Sequence, residues 1–394
     1  MYKVTIDNIG SVYSGGTPKT NVAKYWDGDI VWVTPKDLSE VNSVCITDSA
    51  RKLTKSGLQK SSAQLIPAGS VVLSSRAPIG YVAIVDVDFA TNQGCKSLKP
   101  ADSIYNKYVY YYLKSQTKEL NKRGSGTTFL ELSKAAFSNF EIPICPLPEQ
   151  KRIVAKIESL FSRLDNAKDS LLRVRQEIKR YRQAVLKAAF EGKVFPRLHY
   201  SEINLGKLVS IRNERKDPQD VPNMQYIGMA DVEGFTGMVS KCLFAKEMKA
   251  LAAFFRAGDI LYGRLRPYLN KVVAAKSPGV ASTEFIVMIP ETGVSADYIA
   301  WRLRTKDFVD FATSLNNGDR PRVKFEQISS FNIKTPESKE QVKIVQAIES
   351  RFERAKVLED AVEQGLEKIE QLKQSILKKA FKGKLVEPDP KKFY

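Results

Sequence analysis

The side chains that could do chemistry are few, and their spacing argues against catalysis. Asp86 and Asp88 stand two residues apart on an expected strand, a spacing compatible with a metal-dependent nuclease site. The companion lysine of such a site is not evident there, and a solvated strand face accounts for the pair more simply. His199, the single histidine, follows Phe195-Pro196-Arg197-Leu198 in a linker and is expected as an exposed loop residue. Cys45, Cys95, Cys145 and Cys242 are far apart and form no C-x-x-C pair, so reduced, mostly buried thiols are expected and no zinc site. Gly15-Gly16-Thr17-Pro18 lacks the lysine of a phosphate loop; Gly124-Ser125-Gly126 lacks the third glycine of a dinucleotide loop and reads as a turn. A methyltransferase acting on amino groups would need an Asn/Asp-Pro-Pro-aromatic run, and the chain has no Pro-Pro pair. Catalytic residues, a bound metal and a cofactor are therefore not expected.

Charge is more informative. The 394 residues carry a formal net charge of +18, which favours a polyanionic partner, most simply nucleic acid. The excess is spread out: +4 over residues 1–150, +7 over 151–193, +4 over 195–341 and +3 over 342–384. That distribution suits contact along a length of duplex better than one small basic pocket. With 43% hydrophobic and 27% charged residues the chain reads as globular, and its length fits two or more domains. No apolar run approaches the ~20 residues of a membrane span. Met1-Tyr2-Lys3-Val4-Thr5 does not read as a signal peptide, so a cytoplasmic protein without a membrane partner is expected.

Any contact side chains need elements to hold them, and an internal repeat supplies these. Leu186-Lys187-Ala188-Ala189-Phe190-Glu191-Gly192-Lys193-Val194 returns 191 residues later as Leu377-Lys378-Lys379-Ala380-Phe381-Lys382-Gly383-Lys384-Leu385. At the same offset, without a gap, Glu149-Gln150 matches Glu340-Gln341, Ile157-Glu158-Ser159 matches Ile348-Glu349-Ser350, and Phe161 matches Phe352. Ile153, Ile157, Leu160, Leu164, Ala167, Leu171, Val174, Ile178, Tyr181, Val185 and Ala188 follow one another in alternating steps of four and three, a heptad seam. The second copy keeps the phase with Ile344, Ile348, Ala355, Leu358, Val362, Ile369, Leu372 and Ile376, and weakens at Arg351 and Gly365. Pro146, Pro148 and Pro336 mark the starts, and Gly192 and Gly383 the ends. Two helices of about 40 residues, each roughly 60 Å long, are expected to pair as an antiparallel coiled coil.

The segments before each helix are strand-like and turn-punctuated, with runs such as Ile30-Val31-Trp32-Val33 and Val71-Val72-Leu73. They are only weakly alike. Ala68-Gly69-Ser70-Val71-Val72 parallels Ala257-Gly258-Asp259-Ile260-Leu261, and Tyr108 and Leu113 parallel Tyr298 and Leu303 on an expected helix in each half. Each half closes with a loop, Arg123-Gly124-Ser125-Gly126 and Asn317-Gly318-Asp319-Arg320. The expected class is α+β with a pseudo-two-fold internal repeat. Two β-rich mixed α/β domains span 1–145 and 195–335, long helices span 146–194 and 336–386, and a tail spans 387–394.

In this arrangement the chain resembles the specificity subunits of Type I restriction-modification systems. The resemblance rests on Pro146-Leu147-Pro148-Glu149-Gln150-Lys151-Arg152-Ile153-Val154, the Lys-Ala-Phe-x-Gly-Lys-Leu ending, and Gly258-Asp259-Ile260-Leu261-Tyr262-Gly263-Arg264-Leu265-Arg266-Pro267-Tyr268. It covers essentially the whole chain and implies two target recognition domains, each reading half of a split sequence in double-stranded DNA. It also implies that the helices dock two methyltransferase (modification) subunits, and through them restriction/translocase subunits. S-adenosylmethionine and ATP would belong to those partners, and the chain itself would not be an enzyme.

Base reading needs Arg, Lys, Asn or Gln at groove edges, whereas phosphate contacts need only charge. In the second domain Arg264, Arg266, Tyr268 and Lys271 follow an expected strand, and Arg320 and Arg322 sit in the Gly318 loop. In the first domain the candidates are Lys36, Arg76, Asn92, Gln93, Lys96, Lys122 and Arg123. Arg173, Arg175, Lys179, Arg180 and Arg182 on the first helix suit phosphate, a protein partner or plain solvation. Two other functional classes compete: a coiled-coil scaffold whose two β domains bind proteins, and a lone nuclease. Steep salt dependence of DNA binding separates the first from a DNA reader, and metal-dependent cleavage would mark the second.

Overall fold

The computed structural model describes residues 1–387 except 42, 77, 127–129, 242 and 317. Cys242, Asn317 and all of the tail beyond Glu387 thus lie outside the described residues. The chain divides into two compact units: Met1–Ser170 with the segment from Gly365 onward, and Leu171–Gln364. Two helices, Leu147–Phe190 and Ser338–Ala380, are shared between the units, each contributing one end to either.

In the first unit, strands Gly10–Ser14, Cys95–Pro100, Ser70–Ser74, Val82–Val85 and Cys45–Ile46 form one sheet, and Lys52–Leu53, Trp26–Val33 and Phe89–Thr91 another. Tyr2–Thr5 pairs antiparallel with Glu141–Ile144, tying the two ends of the globular part together. The second unit repeats the plan. Val209–Ile211, Phe285–Pro290, Ile260–Gly263 and Val272–Ala274 form a sheet, five further short strands form a second, and Ser201–Asn204 pairs with Asn332–Thr335. Parallel pairs are few: Trp26–Val33 with Phe89–Thr91 and Cys45–Ile46 with Val82–Val85 in the first unit, and Gln225–Ile227 with Gly279–Ala281 in the second. Ser70–Ser74 and Ile260–Gly263 are buried at every position, as the continuous apolar runs Val71-Val72-Leu73 and Ile260-Leu261-Tyr262 require.

The repeated phrases of the sequence turn out to be joints between helix and domain. Gln150 accepts the Tyr105 N–H (2.8 Å) and donates to the Cys145 carbonyl (2.8 Å); Gln341 accepts the Ser295 N–H (2.8 Å) and donates to the Pro336 carbonyl (2.9 Å). Phe190 meets the Tyr298 ring edge-on at 5.2 Å, and Phe381 meets Tyr108 at 5.1 Å. Each tyrosine then donates to a carbonyl of the domain's last strand, Tyr108 to Pro143 (2.8 Å) and Tyr298 to Lys334 (2.6 Å). Gly192 (φ +79°) and Gly383 (φ +69°) end the helices in the left-handed region. The N–H of Lys193 returns to Ala188 and that of Lys384 to Lys379, satisfying late carbonyls that would otherwise be orphaned. Each core is therefore completed by the start of one helix and the end of the other: Ile153 and Ile157 with Leu377 and Phe381 in the first unit, Val185 and Phe190 with Ile344 and Ile348 in the second.

The helices run antiparallel in both units. In the first, Lys373 meets Asp165 (2.6 Å) and Lys168 meets Glu370 (3.5 Å); in the second, Arg175 meets Glu363 (3.2 Å) and Arg182 meets Glu359 (2.9 Å). One row of the expected seam is in place. Ile157, Ile178, Val185, Ile348, Val362 and Ile369 are buried, and Leu164, Leu171 and Ile376 are partly buried. The other row holds at its two starts, where Ile153 and Ile344 are buried, and is corrected by one residue beyond them. Val174, Leu358 and Leu372 are exposed, and Leu160 is only half-buried. The inward positions are instead Phe161, Lys168, Arg175, Arg182 and Ala189, and their repeats Phe352, Glu359, Leu366, Lys373 and Ala380. Both choices alternate four and three along the Ile157 row, so period alone does not separate them. The structure selects the row whose long charged side chains carry their charges to acids on the facing helix.

Candidate nucleic-acid interface

Where the central strand of each unit ends, three segments are stitched side by side by equivalent backbone bonds. In the first unit the Ser75 N–H donates to the Gly94 carbonyl (2.8 Å), and the Leu132 N–H donates to the Ser75 carbonyl (2.8 Å). In the second the Arg264 N–H donates to Glu284 (3.0 Å), and the Val323 N–H donates to Arg264 (3.1 Å). A bridge to the outer loop follows in each, Arg76 with Glu131 and Leu265 with Arg322. Arg76, Arg264 and Arg322 therefore fall on one backbone rack per unit, with Asn92, Gln93, Lys96, Arg266 and Arg320 within two residues of it.

On the first rack Glu131 is the hub. Arg76 lies 3.9 Å and Lys96 3.8 Å from its carboxylate. Lys96 is a correction to the sequence-based expectation. It is 5% exposed and donates to Ser75 Oγ and the Gln93 carbonyl, and burial holds its amine below the usual lysine range despite Glu131. It points inward because it alternates with Ser97 on a strand whose early residues are all buried. Asn92 uses its Oδ1 to accept the Gly94 N–H, a turn role, and Gln93 is exposed and bonded to Thr17. A Cβ on Gly94 would come within 3.0–3.2 Å of Pro35, Arg76 and Asn92, so glycine lets these three converge. Lys36 is exposed on the helix Pro35–Glu40, which begins with a Thr34/Asp37 capping box. Lys122 is exposed beside Glu119 at the end of the helix Thr117–Lys122, and Arg123, which caps that helix, stacks over Phe140 (4.7 Å) away from the rack.

On the second rack the hub is Glu284. Arg322 binds it through two hydrogen bonds, Nε to Oε2 (3.2 Å) and Nη2 to Oε1 (2.6 Å). Arg264 Nε lies 3.7 Å from the same carboxylate while its Nη2 donates to the Thr283 carbonyl (2.9 Å). Arg266 has left-handed backbone (φ +53°), held by its N–H to the Pro321 carbonyl (2.7 Å), and its Nε is buried with no partner among the described residues. Tyr268 is 44% exposed. Lys271 is turned back to donate to the Met229 carbonyl, so its ammonium is engaged. Arg320 is exposed on the outer loop. Lys324 and Arg264 line the clefts on both sides of this rack, with Arg212 and Arg215 on one side and Asn316 and Gln327 on the other. Glu284, Lys324 and Asn316 were not legible as site residues, because an acid before an apolar strand carries no local signal of two arginines distant in sequence.

Asp86 and Asp88 lie in the loop after Val82–Val85, not on a strand; Asp88 accepts the Ala68 N–H (2.9 Å) and closes that turn. Among the described residues no three His, Cys, Asp or Glu side chains gather as metal ligands would. His199 is exposed, Cys95 and Cys145 are buried, and Cys45 is half-buried. On the first helix Arg175 and Arg182 serve the seam, Arg180 pairs with Glu177, and Arg173 and Lys179 are exposed. No helix of the described residues is long and apolar enough to cross a membrane.

A family model described as the Type I restriction modification DNA specificity domain matches residues 1–175 and 200–368. The MjaIX specificity subunit of Methanocaldococcus jannaschii is 39% identical over 161 residues, 40% of this chain and 37% of that protein. The EcoDI specificity subunit of Escherichia coli is 25% identical over 72% of this chain and 70% of its own length. The EcoKI specificity subunit of Escherichia coli is 25% identical over 83% and 77%. A chain solved in work on complex assembly and conformational transition of the type I R-M system superimposes with a TM-score of 0.75 at 18% identity, covering 97% of this chain and 98% of that one. The HsdS subunit from Thermoanaerobacter tengcongensis gives 0.55 at 17% identity, covering 97% of each. At these identities the structural likeness speaks to the fold.

Proposed function

The chain belongs to the Type I restriction modification DNA specificity family, and on that premise we propose that it reads a split DNA sequence without catalysing a reaction itself. The observation that carries this reading is the repeated rack: one backbone arrangement, present once per unit, dressed with different polar and charged side chains. A repeat of scaffold with divergence of surface is what a two-part reader needs. The second half-site contact becomes intramolecular once the first is made, so two weakly discriminating contacts give one long specific site. In this reading residues 1–145 and 195–335 are the recognition domains. The paired helices join them and dock two methyltransferase subunits, through which restriction/translocase subunits attach. S-adenosylmethionine and ATP are then the partners' ligands, and the complex works on chromosomal DNA in the cytoplasm.

Co-expression with the neighbouring methyltransferase, followed by mapping of methylated bases genome-wide, tests this. The expected result is a split motif with a constant gap; random or absent methylation overturns it. Deleting one heptad from each helix is expected to change the gap and leave both half-sites as they were, because half-sites must present the same face of the duplex. The scaffold alternative predicts only non-specific DNA binding, lost steeply as salt rises and without preference for any sequence, whereas a reader keeps a preference for its motif as the electrostatic part is screened.

A further inference from the structure

We infer that Arg322 reads a guanine in the half-site of the second unit, and that Glu284 is the positioning residue that aims it. The inference rests on the DNA-reading function proposed above and adds a base and two residues. Arg322 is the most exposed arginine of the rack that is also fixed: its side chain is 61% exposed, yet Nε and Nη2 are both bonded to Glu284. That pairing uses the side edge of the guanidinium. The end-on edge, formed by Nη1 and the second proton of Nη2, has no partner among the described residues. Two parallel donors on a rigid plane match the O6 and N7 acceptors of guanine and no other base pair edge.

Glu284 is otherwise hard to explain. A carboxylate on a DNA-facing surface repels phosphate and would lower affinity. Here it is three-quarters covered and shared between Arg322 and Arg264, so its charge is already neutralised. What remains is a fixed orientation, which spares Arg322 the entropy of being ordered on binding. The loop is braced from behind as well: Asn316 donates to the Arg322 carbonyl, and the Arg266 N–H holds Pro321. Arg264 has its Nη2 committed to the Thr283 carbonyl and is 38% exposed, which leaves Arg322 as the reader.

The test uses the full chain co-expressed with its methyltransferase, mapping methylated motifs for wild type, Arg322→Lys, Glu284→Gln and Glu284→Asp. Arg322→Lys keeps the charge and removes the fork, so preference at one G·C pair in one half-site should fall roughly 10- to 100-fold. The other half-site and the gap should be unchanged. Glu284→Gln should relax the same pair, Glu284→Asp should restore it in part, and the melting temperature of the purified variants should match wild type. If Glu284→Gln fails to fold, Arg322→Lys alone decides. An unchanged motif, relaxation at an A·T pair, or a uniform loss at every position would overturn the inference while leaving the split-motif reading intact. Absence of any split motif with the wild-type chain would overturn both.

Discussion

The two racks share their backbone hydrogen bonds and invert their charges. At the position bonded to the end of the central strand the first unit has Ser75 and the second Arg264; on the facing strand Gly94 stands where the second has Glu284; on the outer loop Glu131 stands where the second has Arg322. An acid on the outer loop must look inward for its cations, and in the first unit it finds buried Lys96 and Arg76. An acid on the inner strand does the reverse and presents an arginine outward. The same frame therefore makes a structural ion pair in one unit and an exposed donor fork in the other. The difference comes from which segment carries the carboxylate, not from a difference in fold.

The largest expected effect comes from importing the second unit's charge into the first. Glu131→Arg leaves the Lys96 ammonium buried without its acid, and should cost about 2–4 kcal/mol of unfolding stability by denaturant titration, somewhat below a fully buried pair because Glu131 is half-exposed. Adding Lys96→Met should recover most of that loss. A Glu131→Arg protein as stable as wild type would break the structural assignment of the first rack. The reciprocal Arg322→Glu should cost less stability, about 1 kcal/mol, because Arg322 itself is 61% exposed and Arg264 still faces Glu284, but should weaken binding to a duplex carrying the mapped motif by roughly 30-fold at low salt. Fluorescence anisotropy at two salt concentrations measures this; equal affinity would remove Arg322 from the interface.

At matched positions of the helices the two units should respond alike, which sharpens the contrast with the racks. Arg182→Ala and Lys373→Ala, 191 residues apart, remove partly buried pairs to Glu359 and Asp165 and should each lower stability by about 1 kcal/mol. Val174→Ala, on the exposed side, should change it by less than about 0.5 kcal/mol. Thermal melts that rank Val174→Ala as the most damaging would return the seam to the row read from the sequence. The smallest effect is a pH dependence at Asp307 of the second unit. Burial works to raise the carboxyl of Asp307, but bonds from Arg302 and Thr305 outweigh it and hold it below its ordinary value of 3.8. Its contribution to stability is therefore present above 3.8 and lost as pH falls below that value. Asp307→Asn should flatten that part of the acid limb of the melting curve, and an identical acid limb would show that the pair contributes nothing.

Much of this was legible without coordinates. The repeat at offset 191, the two helices, their stops at Gly192 and Gly383, and the placing of Arg264 and Arg266 just after a strand all follow from local chemistry: heptad period, proline and glycine at element ends, and Arg or Lys beside turns. One seam row was legible for the same reason. The second row was not, because two phases share the Ile157 row and apolar content favoured the wrong one. The rack's division of labour was not legible either. Lys96 and Arg322 are both basic residues near turns, and nothing within ten residues of either says that one is buried and the other aimed outward. That is decided by Glu131 and Glu284, which reach their cations across loops closed only by strand pairing. Sequence determined the period and the punctuation, since those are properties of neighbours along the chain. Tertiary structure decided which charges meet, since an ion pair depends on distance through space.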